Sequence, residues 1–464
     1  MTGAPKESIH ATLGDARLQL AIYTASGRLM EHRAGAVRDD VLPEYQDLRT
    51  QANRIKKHTI ENLDYYLEQL ESNVVAHGGQ VVYCRDGEEV ADFVLRLAKQ
   101  RNARLIVKSK SMTSEEIHFN ERLEHHKLEA VETDLGEYIL QLAHQRPYHI
   151  VAPALHMTRY QVADVFSERL GVAKETVPEN QTKIARAALR EKFLRADIGV
   201  TGANFLVADS GAVVVVENEG NARLSSSTPK IHIAVAGIEK LIPRAQDLAV
   251  FLDLLGRSAT GQPLTVYTSF LSGPRRGDEI DGPDEFYLIL LDNGRSKLLR
   301  DAEKRQSLYC IRCGACLNHC PVYRKIGGHN YPWVYSGPIG AIITPQFHPI
   351  RENGWLPFAS SLCGACAEVC PVKIEIPKLL LKLRSEVTAA KRSKGGGGLE
   401  RLAFGMFAWV MTHPAIYRLI GRIGARLAPV MPPVGPLKQW VSQRALPRPA
   451  KKSFHQLWAD RERK

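Results

Sequence analysis

The sequence predicts an α/β protein in three parts: a layered α/β domain, a small and mainly helical cysteine-rich segment, and a helical basic tail. Three observations carry that reading. Between about residues 75 and 300, short apolar runs alternate with longer amphipathic ones, the pattern of strands interleaved with helices. Seven of the 8 cysteines fall between Cys310 and Cys370. The whole net charge of +12 sits after residue 390, where 15 Lys/Arg face 3 Asp/Glu. A chain of 464 residues has room for two or three domains, each with its own core. Apolar and charged fractions of 44% and 24% are those of ordinary globular material.

Residues 1–40 are polar, with Gly and Ala breaks, and read as a loosely packed start to a helical lead-in over 1–70. From 43 to 70 the apolar positions Leu48, Ala52, Ile55, Ile60, Leu63, Tyr66, Leu67 and Leu70 recur at helical spacing, which predicts one long helix or two. The α/β domain, 71–300, is expected to hold strands at 80–84, 104–108, 149–152, 198–201, 205–208, 212–216, 231–236 and 287–291. Helices are expected over 87–101 and near 113–124. Cys84, alone in an apolar strand-like run, reads as a buried structural thiol.

Several loops are rich in small and polar residues. Lys108-Ser109-Lys110-Ser111 follows a strand and precedes a helix, where an anion can meet backbone N–H groups. Thr201-Gly202-Ala203-Asn204 and Glu217-Asn218-Glu219-Gly220-Asn221 sit at strand ends, where open α/β sheets bind ligands. A fourth dense loop spans 272–279. Each is equally explained by turn chemistry, since Gly, Asn and Ser dominate turns for conformational reasons. None matches GxGxxG or a P-loop, so nothing local argues for NAD, FAD or ATP. The histidines show no HxH or HExxH spacing and read as ordinary surface or core residues, with His156 and His232 the two that could line a site.

The cysteines fall in two runs, Cys310-x2-Cys313-x2-Cys316-x3-Cys320-Pro321 and Cys363-x2-Cys366-x3-Cys370-Pro371. This is the bacterial ferredoxin arrangement, in which a tight loop of thiolates wraps one cluster and the cysteine before proline reaches a second. Two residues between thiolates let a short turn aim successive sulfurs at adjacent irons, and the proline helps turn the chain away. Gly314 and Gly364 allow close approach of backbone to sulfide. With crossed ligation, Cys310, Cys313, Cys316 and Cys370 hold one cluster, and Cys320, Cys363 and Cys366 the other. Two iron–sulfur clusters, most simply [4Fe–4S], follow. The second run has Ser360 where a further cysteine would complete the pattern. The second cluster is therefore [3Fe–4S], or has Ser360, water, substrate or a partner as fourth ligand. An open iron there could act as a Lewis acid on a hydroxyl or carboxylate. Zinc sites usually need only four ligands in two pairs, and a disulfide framework does not suit a chain of this length without an export signal.

Between the runs, Tyr331, Trp333, Tyr335, Trp355 and Phe358 either shield a cluster from water or simply pack a loop. After Cys370 an amphipathic helix is expected over 377–389, closing a dicluster domain of 301–390. Residues 391–398, Lys-Arg-Ser-Lys and four glycines, read as a linker. The tail, 399–464, begins with an apolar stretch to 411 carrying Phe404, Phe407 and Trp409. A second stretch, 416–427, bears Arg418, Arg422 and Arg426 in one stripe. Such helices dock on partner subunits or lie on anionic membrane surfaces. Charge alone admits nucleic acid, but no recognition motif accompanies it. No apolar leader and no run of the ~20 apolar residues needed to span a bilayer is seen. A cytoplasmic location is expected, with the tail able to touch the inner face of the membrane.

The chain as a whole resembles the lactate-utilisation protein B family, the iron–sulfur subunit of a bacterial three-component L-lactate oxidation system. The matching stretches include Val107-Lys108-Ser109-Lys110-Ser111-Met112, Glu132-Thr133-Asp134-Leu135-Gly136-Glu137 and Gly199-Val200-Thr201-Gly202-Ala203-Asn204-Phe205. Asn218-Glu219-Gly220-Asn221, Gly237-Ile238-Glu239-Lys240, Arg257-Ser258-Ala259-Thr260-Gly261-Gln262, Asp292-Asn293-Gly294-Arg295-Ser296 and both cysteine runs extend them. The resemblance covers roughly residues 40–390 and, more loosely, the tail. It implies an α/β domain similar to the sugar-isomerase and CoA-transferase-like fold. Glu217-Asn218-Glu219-Gly220 has the look of the nucleophile region of such transferases, an analogy of fold alone. The function implied is electron transfer in L-lactate oxidation to pyruvate, with partner subunits, and with the hydride acceptor and the lactate site not visible in the chain. The alternatives are a carrier for another 2-hydroxy acid such as glycolate, and a non-catalytic iron–sulfur scaffold.

Overall fold

The computed structural model describes residues 4–393, 398–427 and 452–463, with positions 435, 438, 441, 445 and 450 between them. The chain forms two compact units, residues 1–387 and 388–464.

Among its described residues the larger unit is organised by ten strands: β1 Gln80–Cys84, β2 Leu105–Lys108, β3 Glu129–Glu132, β4 Ile198–Gly202, β5 Phe205–Val207, β6 Ala212–Glu217, β7 Ile231–Gly237, β8 Leu241–Ile242, β9 Tyr267–Leu271 and β10 Glu285–Leu291. Six form a sheet in the order β1-β10-β7-β4-β2-β3, and every pairing in it is parallel. Its central strands are buried along their whole length, β7 from Ile231 to Gly237 included. Near-continuous apolar runs are what a parallel sheet covered on both faces demands. The other four strands form a small mixed sheet, β8-β5-β6-β9.

The helices that cover the large sheet are set by local signals. Helix Gly87–Gln100 starts where the Asp86 side chain accepts N–H bonds from Glu88 and Glu89 at 3.0 and 3.1 Å, an N-cap. It then buries Val90, Val94, Leu97 and Ala98 along one face. The strand and helix expectations at 80–84, 87–101, 104–108, 198–201, 205–208, 212–216, 231–236 and 287–291 agree with the observed elements to within two residues. The helical region near 113–124 is two short helices, Met112–Glu116 and Phe119–His125, and that of 43–70 is Tyr45–Glu61 followed by Leu63–Ala76.

Two expectations fail and one strand, β3, was not expected, each for a physical reason. Residues 149–152 are not a strand: the His149 imidazole Nδ1 accepts the N–H groups of Val151 and Ala152 at 3.1 and 3.2 Å, and a side chain that captures its own backbone donors competes with a ladder. The short strand β3 goes unread because its Glu132 is charged, yet it is buried and pairs with Lys108 at 2.7 Å. The start of the chain is not loosely packed. It forms helices Lys6–Gly14 and Ala16–Ala36, the second burying Ile22, Ser26 and Arg33. That face is polar because it serves hydrogen bonds: Arg33 donates to the Val369 carbonyl at 3.2 Å, and Arg324 donates to Ser26 Oγ at 3.0 Å.

A single apolar core joins the helices at residues 45–61 and 245–259, one face of the small sheet, and the cysteine segment 308–383. In the smaller unit, helices Gly398–Thr412 and Pro414–Leu427 bury no side chain. Of the glycine linker expected at 391–398, residues 394–397 lie outside the described residues; Lys391 and Arg392 continue helix Ile376–Arg392, and Gly398 opens the next helix.

Where the sheet meets the cysteine segment, a buried charge network is assembled. Arg295 donates to both oxygens of Glu116, at 2.8 and 2.9 Å, and to Glu239 through Nε. Glu239 also accepts from Arg312 at 3.4 Å, and Glu116 from the Tyr335 hydroxyl at 2.8 Å. Burial pushes the Glu239 carboxyl up, but Arg295 and Arg312 outweigh it and hold the group at about 2, against an ordinary 4.5. Its stabilising contribution is therefore complete above about pH 4.5 and lost as pH falls towards 2. Glu239→Gln removes one partner from two buried guanidiniums and is expected to cost about 3–5 kcal/mol. Denaturant unfolding of anaerobically purified protein measures this; a loss below ~1 kcal/mol contradicts the central role given to Glu239.

Candidate metal centre and adjoining cavity

The two cysteine runs fold alike. Gly314 and Gly364 adopt φ of 74° and 87°, and the residue two before each, Arg312 and Leu362, is also left-handed at 61° and 57°. A helical turn follows in both, Ala315–Asn318 and Ala365–Glu368. Backbone N–H groups converge on the sulfurs: Arg312 on Cys310, Tyr323 on Cys320 and Ile374 on Cys370, each at 3.4 Å. Ser360 occupies the place in the second run that Cys310 holds in the first. Its hydroxyl accepts the Leu362 N–H at 3.1 Å, as the Cys310 sulfur accepts that of Arg312.

Cys310, Cys313, Cys316 and Cys370 line one cavity, walled by Ile150, Ile339, Val372, Ile374 and Ile376. Burial pushes the Cys313 and Cys316 thiols up, and the neighbouring sulfurs Cys310 and Cys370 push both further. The remaining three sulfurs are neighbours too. Cys366 is pushed up to about 12 by burial and then by Cys320 and Cys363. Cys316 also feels Cys366, which ties the two groups together. Cys363 is exposed, and the Ala365 N–H and the Ser361 hydroxyl hold its thiol down. Thiols that repel one another as anions, gathered in an apolar pocket, fit a cationic metal cluster: bound metal deprotonates its thiolates outright and cancels the repulsion.

Side chains from the start of the chain hold the second run. Arg49 donates to the carbonyls of Ala367, Glu368 and Cys370 at 3.2, 2.7 and 2.8 Å, and Asn53 to that of Val372 at 2.7 Å. Of the five aromatics between the runs, Tyr331, Trp333 and Tyr335 are buried, with Tyr331 close enough to Cys320 and Cys316 to sense their charge. Phe358 is exposed and carries the Arg384 guanidinium 5.1 Å from its ring centre.

A second cavity, about 280 Å³, opens at the C-terminal ends of the sheet strands. Three of the four loops singled out in the sequence meet there: Ser109 to Ser111, Gly202 to Asn204, and Glu217, Asn218, Glu219 and Asn221. Its floor reaches the metal centre through Arg312 and Cys313. The loop 272–279 does not line it, nor does Ser360. His232 is a core residue, bonded to Thr201 Oγ1 at 2.8 Å, and His156 stacks on Tyr148, so neither lines the cavity. Glu217 accepts the N–H groups of Ala222 and Arg223 at 2.7 and 2.8 Å, a capping duty rather than a nucleophile's setting. Lys240 and Arg312 also line the cavity, two basic residues that sequence reasoning did not single out as site residues. Also unforeseen is a trio of carboxylates, Glu115, Glu132 and Glu137, with oxygens within 4.8 Å of one another. Lys108 lies among them, paired to Glu115 at 2.9 Å and Glu132 at 2.7 Å.

Three family descriptions match this chain in succession: the LUD domain over residues 67–291, a 4Fe-4S dicluster domain over 306–374, and the C-terminal region of lactate utilisation protein B over 382–463. The lactate utilization protein B of Bacillus velezensis is 44% identical, covering 100% of this chain and 98% of its own. That of Bacillus thuringiensis is 46% identical over 97% of this chain and 95% of its own. The chain belongs to the lactate utilization protein B family. A solved structure of a DUF162 family protein from Deinococcus radiodurans covers 49% of this chain and 98% of its own at 12% identity, with a TM-score of 0.29. Membership and the dicluster match support iron–sulfur clusters in the cysteine segment; the fold is α/β, as expected, and its large sheet is parallel. Among the described residues no helix is long and apolar enough to cross a membrane.

Cys313→Ala and Cys363→Ala separate the two thiol groups. Each is expected to lower iron from roughly eight atoms per chain to roughly four, by analysis of anaerobically purified protein. Unchanged iron in the Cys313→Ala protein contradicts the grouping.

Proposed function

We propose that this chain is the iron–sulfur electron-transfer subunit of an L-lactate oxidation system. Cys310, Cys313, Cys316 and Cys370 would hold one cluster, and Cys320, Cys363 and Cys366 the other, with Ser360 at the fourth position. The observation that carries this reading is the disposition of the two thiol groups. One is interior and abuts a cavity; the other reaches the surface at exposed Cys363; the pair is joined through Cys316 and Cys366. Such an arrangement suits electron entry on the inside and exit towards a partner on the outside.

Iron–sulfur clusters supply one-electron transfer when bound. Oxidation of lactate to pyruvate releases two electrons and two protons; two one-electron sites would pass the electrons singly to a partner's acceptor, and the protons would leave to solvent. The chain's own residues set the conditions. The isoleucine wall keeps water from the first group, and the N–H groups of Arg312, Tyr323 and Ile374 stabilise negative charge on the sulfurs. These are two of the protein's levers on potential. The exposed apolar and basic residues of helices Gly398–Thr412 and Pro414–Leu427, Phe407, Trp409 and Arg422 among them, offer a surface for partner subunits.

Low-temperature EPR of the anaerobic protein, with partner subunits and L-lactate added, tests the reading. A reduced-cluster signal that appears only with lactate is expected. Clusters that stay oxidised under those conditions, yet are reducible by dithionite, would make this a scaffold instead. The hydroxyl at Ser360 has its own consequence. A site with one oxygen ligand is expected to lose an iron on mild oxidation and show a three-iron EPR signal, and Ser360→Cys to suppress that signal. Equal signals in the two proteins would rule out Ser360 as the weak point of the second cluster.

A further inference from the structure

The cavity of about 280 Å³ beside Cys313 carries buried donors that the fold leaves unused. Lys240 is buried and lines it, and makes no hydrogen bond or ion pair among the described residues. The Ser109 hydroxyl, also in the wall, is buried without a partner. Arg312 gives one nitrogen to Glu239 at 3.4 Å and stacks over Tyr335 at 4.4 Å, while its Nε and Nη1 have no hydrogen-bond partner. Glu239 and the Cys310 sulfur lie close enough to both cations to act on their charge, but buried polar groups left without a hydrogen-bond partner are costly. Lys240, Arg312 and the Ser109 hydroxyl, lining one cavity with donors unfilled, therefore point to an anionic ligand.

The rest of the lining narrows its chemistry. Asp134, Glu217 and Glu219 share the wall, and their charge opposes a multiply charged anion such as a phosphate ester. Glu219, at the rim, is pushed up to about 7 by loss of solvation and by the Asp134 charge beside it. Near neutral pH a carboxyl of that kind can share a proton with a hydroxyl or carbonyl oxygen. The volume suits an acid of a few carbons rather than a dinucleotide. We infer that this cavity binds a small 2-hydroxy or 2-oxo monocarboxylate, its carboxylate held by Lys240 and Arg312 beside the wall that carries Cys313. The choice of a 2-hydroxy acid rests on the electron-transfer reading; the anion site rests on the unpaired donors alone.

Calorimetric titration of the full, cluster-loaded chain with L-lactate, pyruvate, lactamide and inorganic phosphate tests this. L-lactate and pyruvate are expected to bind, with lactamide, which lacks the charge, at least about tenfold weaker. Lys240→Met, which keeps the side chain's length, is expected to weaken lactate binding at least about tenfold with iron content unchanged, and Lys240→Arg to restore most of it. Four results overturn the inference. They are equal affinity for lactate and lactamide, wild-type affinity in Lys240→Met, phosphate binding tighter than lactate, and no saturable binding up to roughly 10 mM, above the usual substrate range. If clusters are reduced by lactate with partner subunits while this chain binds none, the inference fails and electron transfer stands. Lactate binding without cluster reduction does the reverse.

Discussion

Glu239 is the group on which the architecture turns. It follows β7 at the C-terminal edge of the large sheet and faces two guanidiniums, Arg295 from the α/β region and Arg312 from inside the first cysteine run. Its backbone carbonyl, with that of Leu241, also accepts the ammonium of Lys56. Burial lowers Lys56 to about 7, so these carbonyls steady a group that the interior disfavours as a cation. Buried charges are tolerated only when paired and hydrogen-bonded. Here the pairing draws together a sheet edge, helix Tyr45–Glu61 and the loop between Cys310 and Cys313. The position of the first thiol group, and of the cavity beside it, depends on that one carboxylate.

The second run is held by a different device. Its loop ends in carbonyls that no helix or strand satisfies, and the planar fork of Arg49 answers several at once, which a lysine's single point charge could not. Arg33 and Asn53 do similar work nearby. The polar composition of the early helices thus has a purpose: the residues that look like solvent-facing polarity are buried donors for the metal-binding loops. Both devices place positive charge beside sulfurs that carry negative charge when metallated, which favours the thiolate form.

How much of this was legible depended on whether the cause was local. Strand β1 and helix Gly87–Gln100 were readable because an apolar run, a capping Asp86 and an amphipathic stripe all lie within the element. The two cysteine runs were readable as a pattern because their spacing is local along the chain. Residues 149–152 misled because a side chain took over its own backbone donors. The early helices and β3 misled because their buried residues, Arg33 and Glu132, are charged and have distant partners. The cavity shows the limit most clearly: each of its three loops resembles a turn, and only the crossing of parallel strands reveals that Ser109, Asn204 and Glu219 share one wall with Lys240 and Cys313. Distance along the chain hid it.

Two metal sites sharing one core is the claim from which the electron path follows, and spin coupling reports on it directly. EPR of the fully dithionite-reduced protein is expected to show a spectrum broadened and split by interaction between two reduced clusters, because Cys316 and Cys366 bring the two thiol groups together. Two unbroadened, independent signals, or a single cluster's signal at full iron loading, would contradict a shared core.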